Sequence, residues 1–269
     1  MPVYERISAV VSVTLIGLAL YFVIEFPIQT TSLMLFDSPL AIESPRRWLM
    51  TLLLGGLAMA GMDAVIRGHP TLPTQRLSYL ATFWLLPGLL VILATQTLDL
   101  APTPVAWAAA LAGVGLLLWV TMLAEFQQVS FDVAARRASH LWRQFMGYAI
   151  ALALFVIIYQ ARSRSALSAT GILLVSGMTA LALLRQTPAL ISKTWLFAAI
   201  IGLSLGQITW ALNYWQVTAL NAGLFLLLIF HILIGLAQQQ LLGSLSRRVV
   251  WEFGIIAAVA LLVIFNFSP

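Results

Sequence analysis

The side chains of this chain that carry chemistry sit inside apolar runs, and the richest stretch is GLSLGQITWALNYWQVTALNAGLFLLLIFHIL, residues 202–233. Ser204, Gln207, Ala211 and Tyr214 recur there at helical spacing, so Ser204, Gln207 and Tyr214 share one face with small Ala211 between them. The connection 216–218 is so short that the two runs must return antiparallel. Folding the hairpin about Val217 sets Asn213 level with Asn221, and Leu203 and Ser204 level with Phe230 and His231. Ser204, Gln207, Asn213, Asn221 and His231 are therefore a candidate polar site at membrane depth, with Ser204 and Gln207 the nearest partners expected for His231. An imidazole at that depth joins helices as a neutral hydrogen-bonding group, contributing about 1 kcal/mol or less, or acts as a ligand-binding, proton-relay or cofactor-ligating group. A bis-histidine haem site needs a second ring at matching depth, and His69 and His140 both fall in expected connections. No cofactor is assigned.

Most ionisable side chains have a local explanation. Glu43 and Arg47, Asp63 and Arg67, and Asp132 and Arg136 are acid-before-base pairs at i,i+4, and Arg248 and Glu252 repeat the spacing in reverse. On helices, each pair neutralises itself at a membrane surface. Glu25 and Glu125 have no such local partner and are the candidate unpaired acids, each expected to meet a basic group from elsewhere in the fold. The charge asymmetry of the connections predicts that they lie on opposite faces of the bilayer, far beyond the roughly 5–9.5 Å between paired glycosidase carboxylates. Arg136, Arg137, His140 and Arg143 cluster in residues 131–144, which read as a basic interfacial helix. Phe131, Ala134 and Leu141 would face lipid while the cations meet anionic headgroups, each worth about 1 kcal/mol.

The elements that must position these residues are membrane-crossing helices. Of 269 residues, 61% are hydrophobic and 9% charged, against about 25% charged in soluble domains. That balance excludes an ordinary soluble fold, and its low charge excludes a disordered chain. About nine runs, 7–24, 48–66, 77–94, 105–123, 141–159, 165–184, 195–215, 219–237 and 249–267, are long enough to cross roughly 30 Å of hydrocarbon. Ser44-Pro45, Thr103-Pro104 and Thr187-Pro188 place a capping side chain before a proline at the first helical position. With the N-terminus cytoplasmic, that side carries Arg6, Arg67, Arg76, Arg136, Arg137, Arg143, Arg185, Lys193, Arg247 and Arg248, and the other only Arg46, Arg47, Arg162 and Arg164. This asymmetry predicts N-inside, C-outside. Trp48, Trp107, Trp119, Trp142, Trp195, Trp215 and Trp251 fall near span ends, whereas Trp84 lies near mid-span and Trp210 is a milder exception. Gly202-xxx-Gly206, Gly56-xxx-Ala60 and Ala109-xxx-Gly113 allow helices to approach closely, and Pro87-Gly88 predicts a kink in the third span. The opening MPVYERISAVVSVTLIGLAL reads as a retained span, without the basic region and small-residue cleavage site of a signal peptide. The expected architecture is an all-α, polytopic transmembrane helix bundle forming one domain, 1–269.

Zero cysteines exclude disulfides, thiolate metal sites, iron–sulfur clusters and cysteine nucleophiles. No DxxxD, HExxH, GxSxG or Walker A pattern is present. Ser130, Ser139 and His140 are neighbours in sequence, which does not supply triad geometry. Neither catalytic nor metal-ligating residues are assigned. The net charge of +5 is scattered between apolar runs and forms no basic stripe with interleaved aromatics, so nucleic acid is not an expected partner.

The stretches FDSPLAIESPRRWL, RGHP, YQARSRSALSAT, and WALNYW followed by GLAQQQLLGSLSRRVVWEFG resemble uncharacterised bacterial multi-span membrane proteins grouped as a domain of unknown function. The likeness covers most of the chain. It implies the same multi-span architecture and brings no activity, cofactor or catalytic residue.

Without a catalytic constellation, the small-residue faces and tryptophans point to a non-enzymatic accessory, assembly or scaffolding protein of a bacterial-type inner membrane. Its expected partners are bilayer lipid, pigment or other membrane subunits. Two rival readings use the same residues. One is a transporter for a small or lipophilic solute, with Pro87-Gly88, Gln207, Asn213 and His231 lining its path. The other is a lipid-modifying enzyme at the inner face, using Glu125, Arg137, His140 and Arg143 around an anionic headgroup.

Overall fold

A computed structural model describes residues 3–23, 30–35, 38–43, 45–69, 76–129, 132–161, 165–185, 190–215 and 217–243, with the single positions 251 and 254. The helices are α1 (Val3–Val23), α2 (Pro45–Ile66), α3 (Leu77–Leu80), α4 (Leu85–Thr97), α5 (Pro104–Gln127), α6 (Val133–Gln160), α7 (Ser165–Leu183), α8 (Ile191–Leu212) and α9 (Ala219–Leu241). Between the first two, β1 (Thr30–Leu35) and β2 (Ser38–Glu43) pair antiparallel, from Thr30 opposite Glu43 to Leu35 opposite Ser38. All other regular structure among the described residues is helical. Seven helices are long and apolar enough to cross a membrane, or up to eight when a bent pair is taken as one span. They coincide with the first eight expected runs. The ninth, 249–267, lies outside the described residues apart from positions 251 and 254, and Glu25, Ser44, Ser130, Phe131, Thr187-Pro188 and the Arg248–Glu252 pair lie outside them too.

Helix starts follow local chemistry. Thr103 caps α5 by accepting from the Ala106 N–H at 3.1 Å, with Pro104 in the first turn, and Thr218 caps α9 by accepting from Asn221 N–H at 3.4 Å. Pro45 opens α2 as expected. At the far end of α9, Gly243 adopts φ of +69°, the left-handed conformation that ends a helix without a Cβ penalty. The third span is broken where a kink was expected. α3 tightens into a 3-10 turn, Ala81–Phe83, and the chain bends by 41° before α4. Pro87 has no N–H for the carbonyl of Phe83, so the lost donor acts one turn upstream of the proline itself. Trp84, out of place as a mid-span tryptophan, stands at this break.

The chain divides into two compact units, residues 1–73 with 87–136 (unit 1) and 74–86 with 137–269 (unit 2). In unit 1, α1 packs antiparallel against α2 and α5. Tyr4 stacks on Trp119 with centroids 6.3 Å apart, and Phe22 meets Trp107 edge-on at 6.0 Å at the other end. Leu18, Ala58, Met62, Leu118 and Met122 are fully buried. Unit 2 is an up-down arrangement in which α6 touches α7 and α9. Gly147 of α6 lies against Leu183 of α7, and Gly223 of α9 against Val156 of α6. Phe155 and Phe230 meet edge-on at 6.0 Å in its core.

The closest helix pair is α7 with α8. A Cβ on Gly202 would stand 2.9 Å from the Leu173 carbonyl oxygen and 3.3 Å from the Gly177 Cα, and one on Gly206 only 3.2 Å from the Ala169 carbonyl oxygen. The Gly202-xxx-Gly206 face is therefore a real contact surface, matched across the pair by Ala169, Leu173 and Gly177, also four residues apart. The other two small-residue faces differ, because a Cβ on Gly56 or Gly113 meets nothing within 4 Å. Buried hydroxyls need no partner helix. Thr14, Ser176, Thr179 and Thr209 donate to the carbonyls four residues back at 2.8, 2.6, 2.7 and 2.8 Å.

Candidate functional site

The polar residues expected to converge at membrane depth are directed to different neighbours. His231, twelve residues into α9, faces α6, where its Nδ1 lies 3.1 Å from the Tyr148 hydroxyl. The tyrosine ring packs 5.4 Å from the imidazole and 5.9 Å from Phe230. Ser204 and Gln207, its expected partners on α8, are half-buried and exposed respectively. α9 has α6 on one flank and α8 on the other, and hairpin depth alone does not say which flank a residue takes. Asn213, past the end of α8, donates to Ser168 Oγ of α7 at 2.8 Å. Beside it the Tyr159 hydroxyl of α6 donates to the carbonyls of Leu212 at 3.0 Å and Trp215 at 3.3 Å. Both carbonyls also accept a backbone N–H just past the helix end, Leu212 from Trp215 at 2.9 Å and Trp215 from Val217 at 3.0 Å; Tyr159, Ser168 and Asn213 together tie α6, α7 and α8 at one end of unit 2. Asn221 lies in the first turn of α9, half-buried.

The opposite end of unit 2 is cationic. Arg137 and His140 are exposed on the first turns of α6, and Arg76 and Lys193 are exposed at the starts of α3 and α8. The basic stretch 131–144 is continuous with the span that follows it, because α6 runs unbroken from Val133 to Gln160. Arg136 and Leu141 are exposed. Arg143 is not: it is 4% exposed, and one guanidinium nitrogen donates to the Arg185 carbonyl at 3.5 Å. Arg185 is 5% exposed and stacks its guanidinium 3.6 Å over the Phe83 ring, a cation–π contact. Trp195 fixes α3 to α8 by donating from Nε1 to the Ser78 carbonyl at 3.1 Å.

In unit 1, Arg67 pairs with Asp63 at 2.7 Å, as the spacing predicts. Arg47 takes another partner, Asp99, at 2.9 Å. Glu43 ends a strand and not a helix, so the i,i+4 geometry assumed for it does not exist. Asp132 caps α6 by accepting from the Ala134 N–H at 3.0 Å. Glu125 is 1% exposed at the end of α5. Next to it Phe126 packs edge-on at 4.8 Å against His69. His69 is 6% exposed, and its burial lowers the imidazole pKa below the ordinary 6.5. Among the described residues no three His, Asp or Glu side chains group closely enough to hold a metal ion.

The sequence reading missed Tyr148, Tyr159 and Ser168 as polar partners, and Asp99 and Phe83 as partners of arginines. Tyr148 and Tyr159 carry a weak signal, as lone hydroxyls in an apolar run. Asp99 carries none, being 52 residues from Arg47.

No curated protein and no solved structure matches the chain. The family model described as "Protein of unknown function (DUF5656)" matches residues 26–267, and with that match spanning most of the sequence, the chain belongs to the DUF5656 family.

Proposed function

We propose that this protein is a multi-pass accessory, assembly or scaffolding component of a bacterial-type inner membrane, binding lipid, pigment or partner helices through its outer surface and without catalysis of its own. One observation carries the reading: α1, α5 and α9 bury only 28%, 22% and 28% of their most apolar stretch inside the protein. So much outward apolar surface must be covered by lipid chains or other helices. The open faces at Gly56 and Gly113 are where a partner backbone approaches most closely. Charge asymmetry supports nine spans with the N-terminus inside and the C-terminus outside. Purification in mild detergent followed by mass analysis tests the proposal. It predicts a co-purifying polypeptide, lipid or pigment; a chain that always runs alone with nothing bound contradicts it.

The transporter reading keeps one supporting observation, the broken third span. The Trp84 indole N–H is buried there and has no acceptor among the described residues, and interrupted helices line substrate sites in transporters. Uptake unchanged in Trp84→Phe and in His231→Ala would remove it. The inner-face enzyme reading rests on cations that headgroup attraction alone explains.

A further inference from the structure

The two units divide the charge of the chain very unevenly. Unit 1 holds five arginines and eight carboxylates, net −3, while unit 2 holds nine Arg and Lys against one carboxylate, Glu252, net +8. Among the described residues of unit 2 there is no Asp or Glu at all. The antiparallel run of α6, α7 and α8 brings all five described cations, Arg76, Arg137, Arg143, Arg185 and Lys193, to one end of the unit. α3 joins that end through Trp195 on Ser78 and Arg185 on Phe83.

We infer that this end of unit 2 is a collar for anionic phospholipid, with phosphate held at Arg76, Arg137, His140 and Lys193 and acyl chains lying against the apolar residues that follow each. The inference rests on the membrane reading above and names the lipid class. Its argument is the order of exposed groups. Exposed Arg76 is followed by exposed Leu77, Arg137 by Leu141 one turn on, and Lys193 by Trp195 and Leu196. Each helix thus presents a cation at headgroup depth and hydrocarbon surface within the next turn, the sequence of groups a phospholipid presents in reverse. Positive-inside topology alone fixes only the side on which cations lie. In unit 1 the Arg67 charge is met by Asp63 on its own helix, whereas Arg76, Arg137 and Lys193 belong to a unit whose described residues offer no carboxylate.

The test uses the full chain in a neutral detergent, with lipid retention read by native mass spectrometry and stability by thermal unfolding. Dioleoyl phosphatidylglycerol is compared with dioleoyl phosphatidylcholine, and with inorganic phosphate at matched ionic strength. Phosphatidylglycerol is expected to be retained and to raise the unfolding temperature, and the other two are not. The triple variant Arg76→Gln, Arg137→Gln, Lys193→Gln should lower phosphatidylglycerol retention at least tenfold, each cation being worth on the order of fivefold, while Arg47→Gln leaves it unchanged. All three sites are exposed, and an unchanged unfolding temperature without added lipid establishes that the variant folds. Equal retention of the two lipids, an equal effect of phosphate, or an unaltered triple variant overturns the inference. A co-purifying partner found alongside any of these would leave the accessory reading standing and remove only the collar.

Discussion

His231 Nδ1 lies 3.1 Å from the Tyr148 hydroxyl, a hydrogen bond that joins α9 to α6. Interhelical hydrogen bonds in membranes average about 0.6 kcal/mol, with a maximum of about 1.7. A double-mutant cycle with Tyr148→Phe and His231→Phe, followed by unfolding in micelles, should therefore give a coupling in that range; several kcal/mol would mean that the pair does more than join α6 to α9. His69 gives a pH signature. Its folded pKa is lowered by burial, so the unfolded state binds the proton more readily, and the contribution is complete above the unfolded value near 6.5 and is lost as pH falls through the folded pKa. Between pH 7.5 and 5.5 the unfolding temperature should drop further in the native chain than in His69→Gln, and equal drops would contradict this. Residue pairs were legible only where sequence spacing and helix geometry coincide. Asp63–Arg67 qualifies, and Glu43–Arg47 fails because Glu43 belongs to β2 and not to a helix.

At the scale of elements, apolar run length located the long helices, because a helix able to cross hydrocarbon has little freedom in length. The hairpin β1–β2 lay in a stretch too polar to span, where no such constraint acts. Pro87 announced a disturbance in the third span, and the tightened turn at Ala81–Phe83 placed it at the carbonyl that proline fails to serve. The α7–α8 contact was half legible: Gly202 and Gly206 stand out, while Ala169 and Gly177 gain meaning only when the hairpin sets them opposite. Gly202→Leu should destabilise the protein by about 1–3 kcal/mol, since the new side chain meets backbone. Gly56→Leu should leave the isolated chain within about 0.5 kcal/mol of the native stability. Thermal unfolding of both variants checks the contrast, and a tolerated Gly202→Leu would mean that α7 and α8 are not locked together by their small residues.

For the whole molecule, the polar residues of α8 and α9 illustrate why a site is harder to read than a fold. Depth follows from counting residues, but azimuth around a helix depends on neighbours far away in sequence, and His231 turned to α6. The charge division between units 1 and 2 was present in the sequence throughout, yet it becomes visible only once contacts assign residues 74–86 to the same unit as 137–269. The account depends above all on these helices crossing a bilayer with the cationic end of unit 2 inside. Absence of native cysteines makes single-cysteine labelling direct: with a membrane-impermeant maleimide, Tyr214→Cys should react in intact cells, and Arg137→Cys and Lys193→Cys only after permeabilisation. Reaction of Tyr214→Cys and Lys193→Cys from the same side would contradict the account, because α8 would then not cross the membrane.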